Sequence, residues 1–194
     1  MEIFNKARIT VARFVIKNRM RHLIRSKRKG NLNNAKKIGI VWDTVKAEDF
    51  SALSQFHQKM AERKIDVKII GYYPGKVLPD RYTAIRYLLC LKPNDINFLY
   101  MPVSPEAVEF IKTRFDILID ANFNNIFQLE YITSLSEAVL KVGIYDNRYD
   151  NQPFDLMIEM DRYTDISLYL SQVVHYLEMI NTESNKSTEK IILS

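Results

Sequence analysis

Two groups of side chains in this sequence are of types that do chemistry, and they point in different directions. The first is a run of cations near the start: Arg13, Lys17, Arg19, Arg21, Arg25, Lys27, Arg28 and Lys29. Closely spaced guanidinium and ammonium groups neutralise phosphates, so this run points to a polyanion. The second group falls where the pattern places the carboxyl ends of strands: Asp43, Tyr72, Tyr73, Asp120, Asn122 and Asn124. In open α/β sheets such ends line a crevice, and carboxylates and amides there would hydrogen-bond a small ligand. The bland alternative for these side chains is helix capping, loop hydrogen bonding and core packing.

Other chemistries lack their residues. The five glycines, Gly30, Gly39, Gly71, Gly75 and Gly143, form no G-x-G-x-x-G or G-x-x-x-x-G-K-[ST] turn. A ring of carboxylates would also repel phosphate, unless Mg²⁺ bridged it to Asp43 and Asp120. His22, His57 and His175 stand apart, and Cys90 is the single cysteine, so no zinc-ligand spacing exists. Ser134 and Ser136 lack a G-x-S-x-G elbow. No catalytic residue, metal or cofactor is expected.

The cations belong to a marked charge asymmetry. Residues 1–37 hold twelve Lys or Arg against one acid, Glu2, a formal +11. Residues 38–194 hold 16 basic and 22 acidic residues, a formal −6. A basic arm on an acidic body implies nucleic acid or an anionic membrane as partner.

The elements that must position these residues follow from periodicity. Residues 3–25 lack Gly and Pro and predict a helix. Its apolar residues fall on two stripes: Ile3, Phe4, Ala7, Val11, Phe14 and Val15 on one, Ile9, Ile16, Met20 and Leu23 on the other. Two stripes flanked by cations suit a helix wedged between surfaces. The alternative is a helix docked on its own domain with a solvated basic edge. A Gly- and Asn-containing linker follows, RSKRKGNLNNAKK (25–37).

Beyond it, short apolar runs predict strands at 38–42, 66–73, 96–101, 115–121, 140–146 and 154–160. Helical spacing predicts helices near 47–63, 127–138 and 164–181, and Ser104-Pro105-Glu106 opens another. Residues 76–94 fit either a short helix or an extended segment. This alternation predicts an open doubly wound, Rossmann-like, mainly parallel sheet of five or six strands, preceded by the basic helix. The expected organisation is an arm and linker over 1–35, the α/β domain over 36–181, and a flexible tail over 182–194.

No apolar run is long enough to span a bilayer, and cations interrupt any signal-peptide core. With one cysteine, a reducing cytoplasm is the expected compartment. An Arg-rich transit peptide is a lesser alternative.

The stretch FDILIDANFNNIFQLEYITSLSEAVLKVGIYDNRYDNQPFDLMIEM (115–160) resembles an uncharacterised domain-of-unknown-function family of Bacteroidota bacteria. That resemblance implies a fold and no activity. FDILID and KVGIYD are also similar, more distantly, to the N-terminal half of heptosyltransferase-type GT-B glycosyltransferases. The Gly-rich loop of that family is missing after Trp42. The function expected is non-catalytic RNA binding through the arm, on the ribosome or another RNA assembly, with rRNA and ribosomal proteins as partners. The alternative is a small-molecule-binding or glycosyltransferase-like domain using the crevice. Peripheral membrane contact ranks below both.

Overall fold

The computed structural model describes residues 2–25, 31–46, 48–146, 152–160 and 165–192, with side chains described between 7 and 180 within those spans. The sheet is built from β1 (Lys37–Asp43), β2 (Asp66–Tyr72), β3 (Leu88–Leu91), β4 (Ile117–Ala121), β5 (Leu140–Ile144) and β6 (Leu156–Ile158). All are parallel, in the order β3-β2-β1-β4-β5-β6. The helices are α1 (Glu2–Arg21), α2 (Asp49–Glu62), α3 (Asp80–Thr83), α4 (Pro105–Lys112), α5 (Phe127–Leu135) and α6 (Ile166–Ile192). The doubly wound, Rossmann-like α/β fold and its leading helix are therefore present as the sequence predicts.

Parallel strands are buried on both faces, which is why their sequences run almost continuously apolar. In β1, Ile38, Ile40 and Trp42 pack against α2 and α6. Val41 faces the other side, with α1, α4 and α5. Gly39 shares that second side. A Cβ there would stand within 3 Å of the Leu118 and Phe115 side chains, so only glycine leaves room for them.

Several boundaries differ from the sequence reading. The predicted strand 96–101 is absent. Asn97 Oδ1 accepts from the backbone N–H groups of Leu99 (2.9 Å) and Met101 (3.1 Å), and Tyr100 takes a positive φ of 61°. Those side-chain bonds replace a ladder, and only an isolated antiparallel bridge, Ile96 to Pro102, remains. The strand position beside β2 is taken instead by Leu88–Leu91, inside the ambiguous segment. α4 begins as its sequence requires, with Ser104 Oγ accepting from Ala107 N–H and Pro105 at the first turn. α6 carries the helical backbone on to Ile192, so the helix end predicted at 181 has no counterpart. Residues 182–192 contain neither Gly nor Pro to stop it.

Of the two apolar stripes on α1, one docks. It is the stripe of Ile9, Ile16 and Met20: Ile16 is buried and Ile9 and Met20 partly so in the layer formed by α5 and α4, joined there by Ala12 and by Val15 from the edge of the other stripe. On the other stripe Val11 and Phe14 face solvent, Phe14 with 74% of its surface exposed. Arg8 pins the start of the helix. Its guanidinium lies over the rings of Phe98 (4.2 Å) and Tyr100 (4.0 Å) and donates to Phe98 O and Tyr100 Oη. The helix is thus a layer of the domain, and the docked alternative describes its inner stripe.

This assigns opposite weights to two neighbouring apolar residues. Ile16→Ala should cost about 2–5 kcal/mol in urea unfolding, because it empties a packed site. Phe14→Ala should stay within about 0.5 kcal/mol. Equal effects of the two substitutions would contradict the docking.

Candidate functional site

The cations of α1 sort by what they touch. Arg13 Nη2 lies 3.1 Å from Glu130 Oε2 across the α1–α5 contact, a half-exposed pair that adds little stability. Arg19 Nη1 donates to Tyr131 Oη at 2.6 Å. Arg25 is the most deeply engaged. It donates to Ala138 O (2.9 Å) and Val139 O (3.3 Å) and pairs with Asp155 Oδ2 at 2.5 Å. Only 10% of its side chain is exposed, so it fastens the chain after α1 to the start of β5. Lys17 and Arg21 are exposed and carry no ion pair among the described residues. Lys27, Arg28 and Lys29 lie outside the described residues. Arg13, Lys17 and Arg21 are four apart, so they form one line along the helix with a rise of about 6 Å per step.

That line borders a cavity of about 520 Å³. One wall is α1, with Arg13, Ile16, Lys17, Met20 and Arg21. α5 contributes Glu130, Thr133 and Ser134, and the end of β4 contributes Asp120, Asn122, Phe123 and Asn125. Ile144, Gln152, Pro153 and Phe154 complete it. The Phe154 ring lies where a Cβ of Gly143 would stand, so glycine in β5 makes space for this wall. Burial orders the lining by depth. Asp120, Thr133 and Ser134 are buried at the floor, while Arg13, Lys17 and Arg21 are exposed at the mouth.

The floor is fixed by hydrogen bonds. Asp120 Oδ1 accepts from Asn122 N–H (2.8 Å), and Oδ2 accepts from the Thr133 hydroxyl. Tyr169 Oη donates to the Asp120 carbonyl at 2.9 Å. The Asn122 amide is stitched both ways to the backbone of Ile126, which sets the entry of α5. Burial pushes the Asp120 carboxyl up to about 6, against the lowering effect of its hydrogen bonds to Thr133 and Asn122; the nearby Asp43 and Glu130 carboxylates add to the rise. Lys141, also buried, donates from Nζ to Ser134 O at 3.0 Å near the end of α5.

The six residues assigned to one crevice are separated. Asp120 and Asn122 line the cavity. Asp43 Oδ2 instead accepts from both the backbone N–H (3.0 Å) and side-chain amide (3.1 Å) of Asn124. β1 and β4 are neighbours from which the chain winds in opposite directions, so this gap is the topological switch point. Asn124 spans it. Tyr72 and Tyr73 lie at the end of β2: the Tyr72 carbonyl accepts from the hydroxyl of Thr44, just after β1 (2.6 Å), and Tyr73 N–H donates to Leu91 O in β3 (2.8 Å). Burial raises the Tyr72 phenol.

Sequence reasoning missed Ile16, Met20, Thr133, Ser134, Ile144, Gln152 and Phe154 as lining residues. The available signal was the adjacent polar pair Thr133-Ser134 set between the apolar Ile132 and Leu135 of the helix Phe127–Leu135. Among the described residues no three His, Cys, Asp or Glu side chains converge to hold a metal ion. No described helix is long and apolar enough to cross a membrane.

Two consequences can be measured. The folded Asp120 value of about 6 lies above its ordinary 3.8, so the folded state retains a proton that the unfolded chain has released. Stability should therefore fall as pH rises from about 4 to 6, by up to about 3 kcal/mol from this group, and level off above. Asp49, also raised to about 6 by burial, acts in the same direction. In urea unfolding at pH 4.5 and 7, Asp120→Asn should shrink the difference; an unchanged difference would contradict the assignment. Separately, Arg25→Ala should cost about 2 kcal/mol through its charged hydrogen bonds, whereas Lys17→Ala should be neutral in the same assay.

The curated proteins contain no match to this chain. One family model does match, over residues 11–180, a span that takes in the second half of α1 together with the whole sheet. With most of its length matched, the chain belongs to the family of unknown function DUF6913.

Proposed function

We propose that this protein is a non-catalytic RNA-binding protein associated with the ribosome or another large RNA assembly. The observation that carries the reading is the exposed cation line on α1. Lys17 and Arg21 face solvent, Arg13 stands in line with them, and docking through Ala12 and Ile16 holds their helix in place. A fixed row of cations meets a phosphate backbone with less ordering cost than a free arm would. Lys27, Arg28 and Lys29 extend the positive charge along the sequence, and Arg19, held on Tyr131, adds charge on the α5 side. Arg25 contributes by fixing the segment that leads to them. The acidic remainder of the chain is repelled by RNA and orients the basic side toward it. Ribosomal proteins are the matching protein partners, and the cytoplasm the matching compartment.

A second reading, a small-molecule-binding domain, is favoured by the cavity at the ends of β4 and β5. The distant resemblance of FDILID and KVGIYD to glycosyltransferases belongs with this reading, with Asp120 and Asn122 as the residues concerned; the resemblance of 115–160 to Bacteroidota proteins carries a fold alone.

The test is fluorescence anisotropy of the full chain with an rRNA fragment across 50–300 mM salt. Several neutralised phosphates give a log–log slope of several units, at about 0.7–0.9 per contact. The double variant Lys17→Glu, Arg21→Glu should weaken binding at least tenfold and lower the slope. It should also shift the protein from the ribosomal fractions to the top of a sucrose gradient. A slope near zero would refute the electrostatic reading. Deleting the arm is the wrong test, since removing α1 uncovers the apolar surface of α5.

A further inference from the structure

The layout of the cavity specifies more than a generic ligand. Its floor holds a buried carboxyl, Asp120, and its mouth holds three cations, Arg13, Lys17 and Arg21, with Glu130 as the other acid among the lining residues. An anion is repelled from the floor and a cation from the mouth. The complementary molecule has a neutral inner end rich in N–H donors and an anionic outer end. The walls between are apolar: Ile16, Met20, Phe123 and Phe154. They suit a flat ring better than a bare sugar, because a ring gains contact area there without leaving hydroxyls unpaired.

Hydrogen-bonding capacity remains at the floor. An ionised carboxylate offers about four lone-pair positions, and Asn122 and Thr133 occupy two of those on Asp120. Ser134 lines the cavity, and its hydroxyl makes no hydrogen bond among the described residues. Together they present acceptors and a donor, as the edge of a nucleobase requires. The volume lies within the range of about 300–1,000 Å³ usual for small-ligand sites.

We propose that this cavity holds one nucleoside monophosphate unit, its base against Asp120 and Ser134 and its phosphate on Lys17 and Arg21. The inference rests on reading the cavity as a ligand site. It places that site beneath α1, away from the switch point that Asn124 spans. The unit has two sources, a free nucleotide or a splayed nucleotide of bound single-stranded RNA. In the second case the cation line continues the contact along the backbone, joining the two surfaces.

The experiment is equilibrium binding of UMP and AMP to the full chain by calorimetry, with uridine and adenosine as the phosphate-free controls. Saturable binding of at least one nucleotide is expected, at least tenfold tighter than its nucleoside. Lys17→Glu with Arg21→Glu should weaken it at least tenfold. Ser134→Phe, with Ile144→Trp as a second filling variant, should abolish it. The charge variants alter exposed side chains and keep the test decisive if a filling variant does not fold.

No binding of either nucleotide at millimolar concentration overturns the inference, as does binding that survives both filling and charge reversal. If ligand-observed NMR instead finds another compound whose binding Ser134→Phe blocks, the nucleotide assignment falls and the cavity reading stands. Competition by single-stranded RNA identifies RNA as the source; nucleotide binding without such competition identifies the free nucleotide. RNA binding unchanged by the filling variants, with no nucleotide bound, removes the inference and leaves the RNA reading intact.

Discussion

A parallel strand in the middle of a sheet has no face it can turn to water. β1 is that strand here, paired with β2 on one side and β4 on the other, and every residue after Lys37 is buried. Its burial requires helices on both faces, and the rest of the molecule follows from supplying them. α2 and α6 cover the side of Ile38, Ile40 and Trp42. α4 and α5 cover the side of Val41, and α1 completes that layer. The basic helix is thus recruited by the core before it serves any partner.

This recruitment decides which cations remain available. A helix held by Ala12 and Ile16 brings Arg13 and Arg19 onto α5, where Glu130 and Tyr131 meet them. The same rotation leaves Lys17 and Arg21 outward. Arg25, beyond the helix end, becomes a structural clamp through two carbonyls and Asp155. Charge counted along the chain is therefore not charge presented to a partner. Part of it is consumed in attaching the arm, and the remainder is arranged in a line.

The carboxyl ends of the strands show similar economy. Asp43 and Asn124 close the gap between β1 and β4 with two hydrogen bonds, at the place where doubly wound folds usually open to a ligand. The cavity lies one strand further along, beyond β4 and under α1. Glycine matters twice on the α1 side of the sheet for the same steric reason: Gly39 admits Phe115 and Leu118, and Gly143 admits Phe154. A buried carboxyl at the floor is kept by its hydrogen bonds to Thr133 and Asn122, since neither charge nor proton is comfortable there without partners.

The sequence by itself determined the elements whose signals are local. Continuous apolar runs marked β1, β2, β4 and β5; Ser104-Pro105 marked the start of α4; helical spacing marked α2, α5 and α6. It also determined the charge asymmetry, a sum over residues that needs no fold. It misplaced the third strand, because the run 96–101 looks apolar while Asn97 diverts its backbone bonds, an effect of side-chain geometry. Only the tertiary structure decided which stripe of α1 is buried, since both stripes are apolar and α5 selects one. It alone separated Asp43 from Asp120, which sit at equivalent strand ends yet meet different neighbours. And it alone made a cavity from α1, α5 and the ends of β4 and β5. Those walls lie up to about 140 positions apart in the chain, and no local pattern carries a contact of that range.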